Sequence, residues 1–160
     1  SDSNWSVKGT DIAIKALSKI REEVDVSIIQ HGKDFDKTTA LASSLGLSLK
    51  ILPKTPHEKL NEYYWDADIV IDRFALGSLG MVSLEAIACG RPVLAYVSSE
   101  YPENKDFPLK DLKDEETIAN TISNLPSDLW EREHLFLKKY HDVTSIESRL
   151  LSIYEELAKK

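Results

Sequence analysis

The stretch from Ala67 to Val97 carries the densest chemistry in the chain. An apolar run ends in Asp72-Arg73, the turn Gly77-Ser78-Leu79-Gly80 follows, and an apolar segment containing Glu85 leads to Cys89-Gly90 and Arg91-Pro92. A helix that starts at Gly80 leaves the first-turn N–H groups, near Gly80, Met81 and Val82, without intrahelical partners, and these present positive potential to an anion such as a diphosphate. Glu85 lies about one turn further on, among Leu84, Ala86 and Ile87, where a carboxylate needs a partner to offset its desolvation. Sugar hydroxyls suit that role. So does a neighbouring cation, in which case the segment is an ordinary capped helix. A Gly-x-x-Gly turn is not the dinucleotide fingerprint, which has a third glycine and follows the first strand.

Other candidates are sparser. Arg73 ends a strand at the edge where open α/β sheets bind ligands, a position suited to a phosphate. Lys54 and Thr55 follow an earlier strand, although Thr55 is also accounted for as a helix cap. Lys8 on its own is a solvated surface lysine. His57, His134 and His141 lack metal-ligand spacing, so no metal site is expected. The single cysteine, Cys89, excludes an intrachain disulfide and reads as a small buried hydrophobe. Tyr63, Tyr64 and Trp65 are core and rim of one helix.

These residues need a scaffold, and the pattern supplies one. Ile12, Ala16, Leu17 and Ile20 recur at helical spacing, Val24 to Gln30 is a β-branched strand, and Asp34 to Leu45 is a helix closed by Gly46. Leu49 to Leu52 is a second strand. Thr55-Pro56-His57-Glu58 supplies an N-cap, a first-turn proline and a glutamate three residues after the cap, predicting a helix to about Asp66. Ile69 to Asp72 and Val93 to Val97 are further strands flanking the Glu85 helix. Residues 100 to 112 read as a surface loop, and helices over Glu115 to Leu125 and Trp130 to Lys160, broken near His141 to Thr144, close the chain. Strands alternating with helices of about ten residues imply an α/β fold with a Rossmann-like parallel sheet flanked by helices. The chain opens on a helix where such folds open on a strand. Either residues 1 to 7 supply that strand or it lies upstream of Ser1, leaving a gap or an unpaired edge in the sheet.

At 160 residues the chain is one domain, so a two-domain enzyme is not wholly present. The formal charge of −7 and pI near 5.1 argue against nucleic acid or anionic lipid as a nonspecific partner. The longest stretch free of Asp, Glu, Lys and Arg, Thr38 to Leu49, is twelve residues, against about twenty apolar residues for a membrane helix. The N-terminal SDSNWSVKGT is no signal peptide, and one cysteine fits a cytoplasmic, reducing location.

The run GMVSLEAIACGRPV, from Gly80 to Val93, resembles the signature of the retaining glycosyltransferases of family 4 (group 1). Lys8-Gly9-Thr10-Asp11 is similar to the Lys-Gly segment that opens the first helix of their C-terminal domain, and the tail IYEELAKK agrees as well. The resemblance implies the C-terminal, donor-binding half of a GT-B enzyme whose acceptor-binding N-terminal half is missing. It implies a nucleotide-sugar donor as substrate, with no cofactor and no metal, and transfer of a hexose from a UDP- or GDP-sugar to a glycan or lipid-linked acceptor. Peripheral membrane association would come through the missing half. Carried across, Glu85 becomes the ligand of the ribose hydroxyls, Lys8 a donor-phosphate ligand, and Lys54 and Thr55 the loop near the base. Two departures stand out. The family's first glutamate, eight residues before Glu85, is here Gly77, although members with a Gly-x-x-Gly stretch resemble this chain better; and the Gly-Arg turn that precedes Lys-Gly is absent. The alternatives are a non-catalytic interaction module on the same fold and half of a sugar-nucleotide epimerase.

Overall fold

The computed structural model describes residues 3–159. Eight α-helices and four β-strands are present among them: α1 (Trp5–Lys8), α2 (Thr10–Lys19), β1 (Val26–Ile29), α3 (Phe35–Ser44), β2 (Leu49–Leu52), α4 (Leu60–Trp65), β3 (Val70–Ile71), α5 (Met81–Ala88), β4 (Val93–Leu94), α6 (Glu115–Ser123), α7 (Leu129–His141) and α8 (Val143–Ala158). The strands pair in parallel, β1 with β2 from Val26↔Leu49 to Ile29↔Leu52, and β3 with β4 at Val70↔Val93 and Ile71↔Leu94. Parallel neighbours need crossovers, which α3 and α5 provide. The expected parallel α/β architecture is therefore present, as two separate two-stranded pairs.

No described strand joins the two pairs. Residues 1 and 2 lie outside the described range, and the rest of the opening segment is not a strand. Trp5–Lys8 winds into one helical turn, and Ser3 donates its N–H to His31 O (2.9 Å) and accepts from Asp34 N (2.9 Å). Trp5 then anchors on α3, its indole N–H donating to Thr38 Oγ1 at 2.9 Å.

Three apolar clusters fill the interior. Helix α2 contributes to two of them. Its Ala13 and Ala16 meet Phe74, Leu94, Leu112 and Ile118, while Ile14 and Leu17 meet Ala42 and Leu47. The third cluster joins Tyr64, Ile87, Val93, Val97, Phe107 and Phe136, with the Phe107 and Phe136 rings edge to face at 5.2 Å. Glycosidic chemistry aside, this third cluster matters most for the Glu85 helix, because it fixes α5 between β4 and α7.

Three local expectations need correction. Thr55 does not cap α4: Pro56 precedes a short 3₁₀ turn at His57–Lys59, and the Thr55 hydroxyl donates to Pro53 O at 3.1 Å and lies 2.7 Å from the Tyr63 hydroxyl. The fixed φ of Pro56 starts the turn without a side-chain cap. The segment 100–112 is not a plain surface loop. Its Asn104, Phe107 and Leu112 are buried, and the Asn104 amide donates to both Gly77 O and Ser98 O at 3.0 Å. The last strand is shorter than expected, paired only at Val93–Leu94, because the chain beyond bonds to loops instead, with Tyr96 N on Arg73 O and Ser98 N on Gly77 O. Among the described residues no helix is long and apolar enough to cross a membrane.

One buried carboxyl secures α7 to the sheet. Glu133 is fully buried, and its Oε2 accepts from Val93 N at 2.9 Å. Burial pushes its pKa up to about 8, outweighing the Val93 N–H and Arg132. The unfolded chain ionises this group near 4.5, so its stabilising contribution is complete below that pH and is lost as the pH rises through about 8. Glu133→Gln keeps an acceptor for Val93 N and does not titrate. Its melting temperature should gain on the parent's between pH 5 and pH 8, by on the order of 5 °C at the upper end; a constant offset across that range would show Glu133 ionised in the fold.

Candidate functional site

The site is organised around Asp72, at the end of β3. Its carboxylate is wholly buried; Oδ1 accepts from Lys8 Nζ at 2.8 Å, and Oδ2 accepts from Gly80 N at 3.1 Å and from Ser83 Oγ at 2.8 Å. Three elements thus converge on one side chain: the end of α1, the end of β3 and the start of α5. Gly80 occupies the N-cap of α5 and has no side chain to cap with, so Asp72 supplies the carboxylate from across the turn. Burial alone would raise the Asp72 pKa, but Lys8, Ser83 and Arg73 together hold it below the usual carboxylate value. Asp72 is ionised, and Lys8 is its counter-ion.

This arrangement revises two sequence readings. Lys8 is not a solvated surface lysine: only 13% of its side chain is exposed. The Gly80 amide, expected to face an external anion, donates to Asp72 instead. A Cβ at Gly80 would overlap the Asp72 carboxylate and the Arg73 guanidinium, so the close approach of those groups requires glycine there. Arg73 lies along the same turn, its Nε 3.7 Å from Asp72 Oδ2. Further along α5, Met81 is 68% exposed and the smaller Ser83 is buried.

Glu85 lies one turn on, 22% exposed at its side chain. Its carboxylate is held by the protein itself: Tyr64 Oη donates to Oε2 at 2.9 Å, and His57 Nε2 lies 2.8 Å from Oε1. The two oxygens differ in access, since Tyr64 is buried and the His57 side chain is 74% exposed. Neither partner was singled out by the sequence reading, which left Tyr64 in the helix core and His57 as a histidine without metal-ligand spacing. The available signal was the Thr55-Pro56 break, which starts a turn that swings His57 back toward α5. Lys54 is exposed in that loop, and Thr55 faces Tyr63 rather than Glu85. The loop thus reaches the site through His57.

Gly77 closes the other end of the turn. Its φ of +67° favours glycine, and a Cβ there would meet Ser98 Cβ at 3.0 Å and Tyr96 Cε1 at 3.1 Å. The absence of a glutamate at this position is therefore built into the backbone. Among the described residues no group of three or more His, Cys, Asp and Glu is placed to hold a metal. Cys89, half-buried at the end of α5, has its thiol pKa raised by burial and by Glu85.

Two measurements test this geometry. Glu85 raises the His57 pKa above its ordinary 6.5, first by the hydrogen bond and then by its charge. The pair therefore contributes fully below that pH and fades as the pH rises through the elevated value. In an NMR titration, Glu85→Gln should return His57 toward its ordinary value; an unmoved titration would break the contact. Lys8→Met strands a buried carboxylate and should cost about 3 kcal/mol of unfolding free energy, recovered in large part by adding Asp72→Asn. An additive double variant in chemical denaturation would show that the pair is not coupled.

Comparison with known proteins places this geometry in a family. The family model for glycosyl transferases group 1 matches residues 5–106, which include α1, the Asp72 hub and α5. Among curated proteins, the chain is 30% identical over 104 residues to D-inositol 3-phosphate glycosyltransferase 1 of Catenulispora acidiphila, covering 56% of this chain and 25% of the relative. It is 35% identical over 98 residues to a D-inositol 3-phosphate glycosyltransferase of Mycobacterium sp. strain KMS, covering 56% and 22%. The matched region spans about a quarter of the length of these relatives. Among solved structures, sucrose-phosphate synthase from Thermosynechococcus elongatus superposes with a TM-score of 0.73 at 20% identity, covering 95% of this chain and 43% of that one. The C-terminal domain of the group 1 glycosyl transferase LpcC from Francisella tularensis gives 0.63 at 20% identity, covering 85% and 80%. Staphylococcus aureus TarM, solved with UDP, gives 0.70 at 16% identity, covering 96% and 34%. These likenesses establish the fold, and the match over most of the chain establishes the kinship: this chain belongs to the glycosyl transferases group 1 family.

Proposed function

We propose that this chain is the donor-binding part of a retaining glycosyltransferase that moves a hexose from a UDP- or GDP-sugar to a glycan or lipid-linked acceptor in the cytoplasm. The supporting observation is the Glu85 carboxylate. Tyr64 holds one oxygen from the protein interior, while the other meets only the exposed His57 ring, which a ribose hydroxyl can displace. The Met81 and Val82 amides, in the first turn of α5, then face the diphosphate, and Lys8 shares its ammonium between Asp72 and a phosphate oxygen. An ammonium has three N–H donors, so the two contacts are compatible. Arg73 adds positive potential beside the turn. Catalysis rests on positioning and on stabilising the departing nucleotide diphosphate, with no metal and no protein nucleophile. The acceptor is held by an N-terminal half beyond these residues, which would also carry any contact with a membrane surface.

Gly77 leaves the donor sugar without the family's first carboxylate, so its contacts come from elsewhere in the whole protein. A second reading is favoured by one observation: Lys8 and Glu85 already have partners inside the chain. On that reading the fold is kept as a non-catalytic interaction module. Titration calorimetry with UDP and GDP separates the two. Nucleotide binding by the 160-residue chain, weakened by roughly 1.5–3 kcal/mol in Glu85→Gln, supports the donor site; binding of neither nucleotide supports the module, and unchanged affinity in a folded Glu85→Gln removes Glu85 from the site.

A further inference from the structure

Helix α8 is the least covered element of the molecule. None of its residues is buried, and Val143, Ile146, Leu150, Ile153 and Leu157 are between 42% and 76% exposed. Their spacing of three and four residues is a heptad repeat, with Val143, Leu150 and Leu157 at position a and Ile146 and Ile153 at d. Leu151 and Tyr154, more than half exposed, widen the same stripe. The polar Thr144, Ser145, Ser148, Ser152 and Glu155 fall outside the a and d positions. The Asp142 break, where Asp142 accepts from Thr144 N at 3.2 Å, separates this helix from α7 and leaves its stripe off the three apolar clusters.

The charges beside the stripe select its occupant. Asp142, Arg149 and Glu156 stand at position g, and Glu147 and Tyr154 at e. A parallel pair of α8 helices would set Asp142 against Glu147 of the second copy, two like charges. An antiparallel pair that seats Ile146 on Leu157 and Leu150 on Ile153 sets Arg149 against Glu156 of the second copy, twice by symmetry, and Glu147 against the Tyr154 hydroxyl, also twice. Sliding that pair by one heptad keeps as many apolar layers but sets Arg149 against Arg149, Glu147 against Glu147 and Asp142 against Glu156. One orientation and one register therefore satisfy both the apolar stripe and its flanking charges. The seven exposed apolar side chains present on the order of 700 Å² per copy, close to the roughly 800 Å² per partner of a standard stable interface.

We propose that α8 is a self-association surface, on which two copies of this chain pair as antiparallel helices in the register that joins Arg149 to Glu156. The interface is isologous and closes on itself. It does not depend on the donor-binding reading, because no residue of that site lies on α8.

Sedimentation equilibrium of the 160-residue chain tests the proposal. The expected result is a reversible dimer of twice 18.1 kDa. Arg149→Glu turns both attractive pairs repulsive and should weaken the dimer by about tenfold or more, and Arg149→Glu with Glu156→Arg should restore it. Circular dichroism melts should stay close to the parent's, since α8 contributes no buried residue. A monomer at all concentrations would overturn the proposal and leave the stripe to another surface, such as the remainder of a longer chain. A dimer indifferent to the single reversal, or not rescued by the double one, would overturn it equally.

Discussion

A carboxylate without access to water must be matched, and the matching of Asp72 gives this domain its functional end. Its two oxygens are shared among a lysine, a backbone amide and a serine hydroxyl drawn from three elements that are distant in sequence. Remove any one and an ionised group is left underpaired inside the protein, where the cost is larger than the net value of the contact itself. The ion pair is thus less a source of stability than a specification. It sets where α1 ends relative to β3, and it sets the depth at which α5 begins. The close fit at Gly80, the seating of Arg73 and the direction of α5 all follow from it.

With α5 fixed, Glu85 is fixed as well, one turn along a helix whose apolar side is locked against β4 and α7. The result is a carboxylate with an inner and an outer oxygen. Tyr64, buried and hydrogen bonded to Glu85, is kept protonated far above neutral pH by desolvation and by that carboxylate, so it is a permanent donor. His57 is a removable one. Such asymmetry is what a ligand-exchange site requires: an anchor that holds the side chain in one rotamer and a solvent-side contact that can be traded.

Much of this was legible in the residues. The alternation of short apolar runs with amphipathic segments marked every strand and the helices between them, because parallel strands buried on both faces leave a plain signature. The Leu49–Leu52 strand and the break before α8 matched closely. Gly80, Glu85 and Lys8 were recognisable as a set through their family pattern. What stayed hidden was pairing across the fold. Nothing local in Asp72 announces that Lys8, 64 residues away, is its counter-ion, or that its second oxygen replaces the missing cap of α5. The role of Thr55 was misjudged because a proline can start a helical turn alone. The 100–112 segment was misjudged because its buried residues, Asn104 and Phe107, obey contacts made by other elements rather than any periodicity of their own.

Gly77 has a bearing on the history open to this sequence. Its left-handed backbone, the Ser98 and Tyr96 side chains pressed against its α-carbon, and the Asn104 amide and Ser98 N–H that grip its carbonyl form one interlocked unit. A carboxylate cannot be regained there by changing a single codon. The turn would first have to relax to a negative φ, which releases Ser98 and Asn104 and with them the loop that carries Phe107 into the core. The glycine state is therefore a ratchet, in which later substitutions in a distant loop have made an earlier loss hard to reverse.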